Sequence, residues 1–246
     1  MSEQPVPLGE ATRREVANGS LPFRIPQRIL DQDLTRVQVP PSHVETPEDR
    51  DRRLRRQAAG KRAAWEKRLP KRYATANLAE LHAQQDPGRL VSGWLAGGHL
   101  NLLLHGLASR GKTHAAYAVC ADALAKGMHV VAWTMADLNA ALRPGAEAES
   151  DAFREVTTCE VFLLDDLGRE KVTDWTLEQL QRVLDARNRG RLRTVVTTNL
   201  GYDMTTTAGG APGIIERYDK PIADRLMDDT VVVKVEGDNL RPPARF

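Results

Sequence analysis

Cysteine is nearly missing from this chain, with only Cys120 and Cys159 in 246 residues. Two thiols cannot staple a disulfide scaffold or build a cysteine-rich zinc site, and they predict a reducing, cytoplasmic setting. The six histidines are scattered without metal-ligand spacing, so no structural metal is expected. No apolar run approaches the roughly 18 residues that a membrane span requires. The first residues, MSEQPVPLGEATRREV, lack the apolar stretch of a secretory signal. There is no internal repeat, and no low-complexity tract beyond a proline-rich leader. Charge of one sign is not in excess either. Against 33 Asp/Glu stand 35 Lys/Arg, a net of +2 that implies no global field for a polyanion.

The charge is unevenly placed. Residues 50–72 hold eleven Lys/Arg against Asp51 and Glu66, a local +9, which leaves −7 for the remainder. Such a segment could contact DNA phosphates, dock on an acidic partner face, or form a solvated helix face. Seven of the fourteen prolines fall in the first 48 residues, so residues 1–47 read as a mostly extended leader with a short helix near 27–34. Thr46-Pro47-Glu48-Asp49 then has the form of a helix start: a capping hydroxyl, proline in the first turn, and acids near the positive helix end. This basic helix, residues 48–69, carries a thin apolar stripe of Leu54, Ala58, Trp65 and Leu69 and stops at Pro70. Trp65 suits either a partner groove or packing on the body of the protein.

From residue 70 to 246 the pattern alternates between strands and helices, the signature of an α/β domain with a parallel sheet. Expected strands are 99–105, 129–134, 160–165, 193–198 and 230–235, several of them apolar throughout, as strands covered on both faces should be. Expected helices are 112–126, 135–142, 174–189 and 221–227. The stretch TTTAGGAPG, 205–213, reads as a loop.

The strongest local signal lies between the first strand and the first helix of that domain. Gly106, Leu107, Ala108, Ser109, Arg110, Gly111, Lys112 and Thr113 fit G-x-x-x-x-G-K-[ST]. Glycines let successive N–H groups turn toward phosphate oxygens, and the helix that follows adds its positive end. Lys112 supplies a cation for the β- and γ-phosphates and Thr113 a hydroxyl for Mg²⁺; the phosphate-binding set is taken to extend to His114. Ser109 and Arg110 occupy the loop crown, where smaller residues fit more easily, and Arg110 reads either as a phosphate contact or as a solvent-facing side chain.

Downstream, Val161-Phe162-Leu163-Leu164-Asp165-Asp166 has the form of a buried strand ending in carboxylates at the edge where parallel sheets bind ligands. There Asp165 would hold Mg²⁺, and Asp166 would orient or deprotonate an attacking water. Val195-Val196-Thr197-Thr198-Asn199 is a second apolar strand with a polar tip. Asn199 suits either a contact to the γ-phosphate or lytic water, or a turn near Gly201.

Taken together, GKTHAAYA, LLDDLGREKVTDWTLEQLQRVLDARNRGRLRTVVTTNL and ADRLMDDTVVVKVEGDNLR, with the lead-in LPKRYATANL, resemble the AAA+ ATPases of the DnaC/IstB group over about residues 69–241. The resemblance implies a P-loop NTPase core with a five-stranded parallel sheet in the order 5-1-4-3-2, and a C-terminal part too short for a full helical lid. By position, Lys112 and Thr113 match Walker A, Asp165 and Asp166 Walker B, and Asn199 sensor 1. Arg225 matches an arginine that reaches a neighbouring subunit's nucleotide, and Arg241 matches sensor 2. Two departures stand out: Ser109 replaces the usual loop glycine, and Asp229 stands where loaders tend to carry a second arginine, which makes Arg217 a substitute for the trans-acting role. Tyr73, in the lead-in, would approach the adenine or simply pack. The implied activity is ATP hydrolysis with ATP and Mg²⁺, in a cytoplasmic DNA-binding protein that self-associates. Its implied client is a replicative DNA helicase, docked through residues 1–72 and loaded onto single-stranded DNA. An IstB-like transposition helper and a nucleotide-gated switch with little hydrolysis are the alternatives.

Overall fold

The computed structural model describes residues 46–146, 149–201 and 213–240. The expected helix at 27–34, most of the 205–213 loop, and Arg241 lie outside these. The chain divides into two compact units, Met1–Arg53 and Leu54–Phe246. In the first, the described residues are Thr46 and the opening turns of helix α1 (Pro47–Arg68). The Thr46 hydroxyl accepts from the Asp49 amide at 3.1 Å, so the capping pattern read in the sequence is formed.

In the second unit the order continues α2 (Leu90–Gly97), β1 (Asn101–His105), α3 (Lys112–Ala125), β2 (Val130–Thr134), α4 (Met135–Ala141), α5 (Glu149–Thr158) and β3 (Val161–Leu167). It closes with α6 (Asp174–Arg189), β4 (Arg193–Thr198), α7 (Ile214–Tyr218), α8 (Lys220–Met227) and β5 (Thr230–Lys234). The strands form one sheet in the order β2-β3-β4-β1-β5, every pair parallel, with β1 in unbroken register from Leu102 opposite Val195 to His105 opposite Thr198. This is the expected order read from the other edge. Alternate residues of the apolar strands serve opposite cores. Leu102, Leu104, Val161 and Leu163 pack with α3 and Trp65, whereas Leu103, Phe162, Leu164 and Val196 pack with Leu138, Val156 and Leu180 from α4, α5 and α6.

Four elements depart from the sequence expectation, each for a local reason. Helix α2 was not foreseen because its cap comes from five residues upstream of Val91: one Asp86 carboxylate oxygen accepts from the amides of Val91 (2.8 Å) and Ser92 (3.2 Å). Helices α5 and α7 carry start signals that the sequence expectation left out, acids in the first turn: Glu149 and Asp151 in α5, and Glu216 in α7, whose carboxylate accepts from the Gly213 amide. Strand β3 does not end at Asp165. It runs to Leu167 through a bulge in which Asp165 and Asp166 together oppose Thr197, and Asp166 takes a φ of 58°. Among the described residues no helix follows β5.

On α1, Trp65 is buried against the Tyr117 ring, with centroids 5.7 Å apart, which settles it as a packing residue. Leu54 is exposed, so the apolar stripe is buried only toward its C-terminal end. Part of the basic segment is spent on the body of the protein: Lys61 bonds Glu160 and the Gly127 carbonyl, and Arg68 bonds Glu155 while lying over the Trp133 ring.

Arg187, on α6, has no exposed surface. Its guanidinium donates to the Thr194 hydroxyl and to the carbonyls of Val156, Cys159 and Arg193, tying the end of α5 to the start of β4. Burial lowers its pKa, and the same burial raises that of the Cys159 thiol beside it. Replacing Arg187 by leucine strands several buried carbonyls. The Arg187→Leu protein is therefore expected to lose about 3 kcal/mol, seen as a melting temperature about 6–12 °C lower. A fall of under about 2 °C would show that these carbonyls find other partners.

Candidate functional site

The β1–α3 loop, the bulge of β3 and the end of β4 meet at the C-terminal edge of the sheet, around a cleft of 560 Å³. The loop owes its shape to glycine at two points. A Cβ on Gly106 (φ 136°) would stand 2.5 Å from the Val235 carbonyl oxygen, and one on Gly111 (φ 92°) 2.1 Å from the Gln85 amide nitrogen. At Gly106 only glycine lets backbone pass this close, and at Gly111 the positive φ favours glycine whatever Gln85 does.

Lys112 is buried, and its ammonium donates to the carbonyls of Gly106 (2.8 Å) and Leu107 (2.7 Å) and to Asn199 Oδ1 (2.8 Å). Three bonds use all three donors of an ammonium. Burial nevertheless brings its pKa down to about 8, against the opposing pull of Asp166 and Asp165. The Thr113 hydroxyl donates to Asp165 Oδ1 at 3.0 Å, and the Thr197 hydroxyl donates to the same oxygen at 2.5 Å. Burial raises the Asp165 pKa, and these two hydroxyl bonds hold it down. Asp166 is more exposed. Its amide donates to Thr197 Oγ1 at 2.9 Å, and its carboxylate faces Arg169 Nη1 at 3.5 Å.

The structure thus brings Lys112, Thr113, Asp165, Asp166 and Asn199 into one cleft, together with Ala108, Ser109, Gly111 and His114. Arg110, half-buried, is not among the residues lining it: its guanidinium donates to the Gly237 carbonyl. Arg225 lies outside the cleft on α8, donating through Nε to Asp185 and through Nη1 to the Pro221 carbonyl at 2.8 Å. Arg217 turns inward to the Glu170 carbonyl. Tyr73 lines the cleft with one face stacked on Tyr117, centroids 4.6 Å apart and 13° from parallel.

Sequence reasoning missed further lining residues, Arg72, Glu80, His82, Gln85, Arg169 and Leu240. Gln85 is buried and donates to the Gly111 carbonyl from 26 residues away, so nothing local marks it. Arg169 had a signal, since it follows the two acids by three positions.

The cradle fits a magnesium nucleotide. Glycine-shaped backbone, a buried ammonium and a hydroxyl–carboxylate pair supply the cation and the hard oxygen donors that phosphate and Mg²⁺ require. Fold and site together define a P-loop nucleotide-binding protein of the AAA+ class. Residues 42–245 match the family described as IstB-like ATP binding protein. The chain therefore belongs to that family, within the DnaC/IstB group of ATP-binding AAA+ proteins. Among solved structures, the fold is similar to the DnaC helicase loader, with a TM-score of 0.56 and 23% identity, covering 68% of this chain and all of that one. DnaI gives 0.57 and 21%, covering 71% and 95%. AMPPCP-bound DnaA from Aquifex aeolicus gives 0.55 and 15%, covering 68% and 51%. No curated protein matches the chain significantly. Among the described residues, no helix is long and apolar enough to cross a membrane.

Proposed function

We propose that this protein hydrolyses ATP and uses the cycle to load a replicative helicase onto single-stranded DNA. The observation that carries hydrolysis is the bulge at the tip of β3. It sets Asp166 in the lining of the cleft one residue after the Thr113–Asp165 pair, with Asn199 in the same lining. In this reading Lys112 meets the β- and γ-phosphates, Thr113 and Asp165 hold Mg²⁺, and Asp166 orients or deprotonates the attacking water. Asn199 meets the γ-phosphate or that water, and Arg241 serves as sensor 2. Bound magnesium would screen the phosphate charge that develops on cleavage.

Arg225 acts on a neighbouring subunit's nucleotide, so that hydrolysis reports assembly. Its position outside its own chain's cleft supports this. Arg225→Ala is expected to leave ATP affinity unchanged and to slow phosphate release by the assembled protein about 10³-fold. Equal loss in dilute monomer would assign it a structural role instead.

The proposed organisation is a leader (1–47), a basic helix (48–69) and an ATPase domain (70–246), with residues 1–72 docking the client. The client itself is supported by the likeness to the DnaC helicase loader over that chain's whole length and by the exposed arginines of the basic helix. The test is co-sedimentation with the replicative helicase of the same host. A complex that forms with ATP and is lost on reversing Arg52, Arg53, Arg55 and Arg56 to glutamate is expected. Absence of any complex with ATP present would overturn helicase loading. The family match favours one second reading, an IstB-like helper that recruits a transposase to DNA; a complex with a transposase in place of the helicase would establish it.

A further inference from the structure

The segment that follows β5 lies along the phosphate loop and grips it at three successive points. The Val235 amide donates to the His105 carbonyl at 2.8 Å, just before the loop begins. The Arg110 guanidinium donates to the Gly237 carbonyl. The Leu240 amide donates to the Ser109 carbonyl at 2.9 Å. Leu240 then reaches across Gly111, where an added Cβ would sit 3.0 Å from its Cδ1, and it lines the cleft although half exposed. The last of these contacts, from the Leu240 amide, bears on the one non-glycine residue of the loop with positive φ. Ser109 has a φ of 65°, a left-handed conformation that glycine adopts freely and serine rarely. The residue that departs from the usual glycine is thus the residue whose carbonyl the C-terminal segment holds.

We propose that Arg110 is a positioning residue: it latches the segment 235–240 onto the crown of the phosphate loop and so holds Ser109 in the left-handed turn that nucleotide binding needs. The inference rests on nucleotide binding in this cleft and adds to it a cause for loop shape outside the loop. Arg110 does this without touching phosphate. Without the latch, Ser109 relaxes toward negative φ and the loop loses its preformed shape, a cost paid when nucleotide binds.

The test uses the full chain and ATP with Mg²⁺, read by calorimetry. Arg110→Ala is expected to weaken ATP binding ~10-fold, and Arg110→Lys, which keeps a donor for the Gly237 carbonyl, to stay within ~3-fold of the native protein. Adding Ser109→Gly to Arg110→Ala restores affinity to within ~3-fold, because glycine holds the turn unaided. A direct phosphate contact by Arg110 predicts no such rescue. Amide exchange on nucleotide-free protein gives a second readout, with Leu240 exchanging faster in Arg110→Ala and Val235, bonded at the sheet edge, unchanged. Arg110→Met, which keeps length without a donor, carries both measurements should the alanine variant not fold. Native affinity in Arg110→Ala, failure of Ser109→Gly to rescue, or unchanged exchange at Leu240 would each overturn the latch. Loss of ATP binding in Lys112→Ala stands apart from all of these, so the latch can fail while the nucleotide site remains.

Discussion

Lys112→Ala is expected to weaken ATP binding about 10²–10³-fold, an effect of about 3–4 kcal/mol. The magnitude follows from the setting of the ammonium. It is buried, and its three donors are already placed on the Gly106 and Leu107 carbonyls and on Asn199. Removing it takes from the cleft the cation that phosphate would meet at low solvent access, where charge interactions are least screened. It also leaves two loop carbonyls without their donor, so the nucleotide-free protein should melt slightly lower. Calorimetric titration of ATP, beside the melting temperature without nucleotide, separates the two effects. Retained tight binding would remove Lys112 from the phosphate site.

Asp166→Asn is expected to bind ATP as the native protein does and to release phosphate about 10²–10⁴-fold more slowly. Asparagine tolerates the left-handed backbone that Asp166 adopts at φ 58°, and the amide bond to Thr197 is made by the main chain. The substitution therefore leaves the bulge intact and removes only a base and its charge. Asp165 is a poor choice for the same task. Its Oδ1 is already held by the Thr113 and Thr197 hydroxyls, which leaves that oxygen engaged. Unchanged steady-state phosphate release in Asp166→Asn would exclude this carboxylate from catalysis.

Much of this was legible in the sequence where the signal is local. Gly106 to Thr113 forms its cradle from consecutive residues, and the buried strands announce themselves as apolar runs, so the sheet and its ligand edge could be read directly. The acids at 165 and 166 were recognised, but not the bulge in which they lie. The bulge depends on Thr197 of the neighbouring strand, 31 residues from Asp166. The contact of Arg110 was hidden for a comparable reason: its partner, the Gly237 carbonyl, lies 127 residues on and bears no side chain to betray it. Gln85 and Leu240 entered the cleft unannounced, because long-range backbone contacts leave no pattern in the residues that make them. Trp65 had two readings of equal merit until Tyr117 was seen against it.

The account turns on a triphosphate lodged between the β1–α3 loop and the tip of β3. A crystal structure with magnesium and a non-hydrolysable ATP analogue tests this most directly. The predicted result is analogue density in the 560 Å³ cleft, with the Lys112 ammonium on its phosphates and Thr113 and Asp165 beside the metal. Analogue bound elsewhere, or a cleft still vacant at saturating analogue, would contradict it.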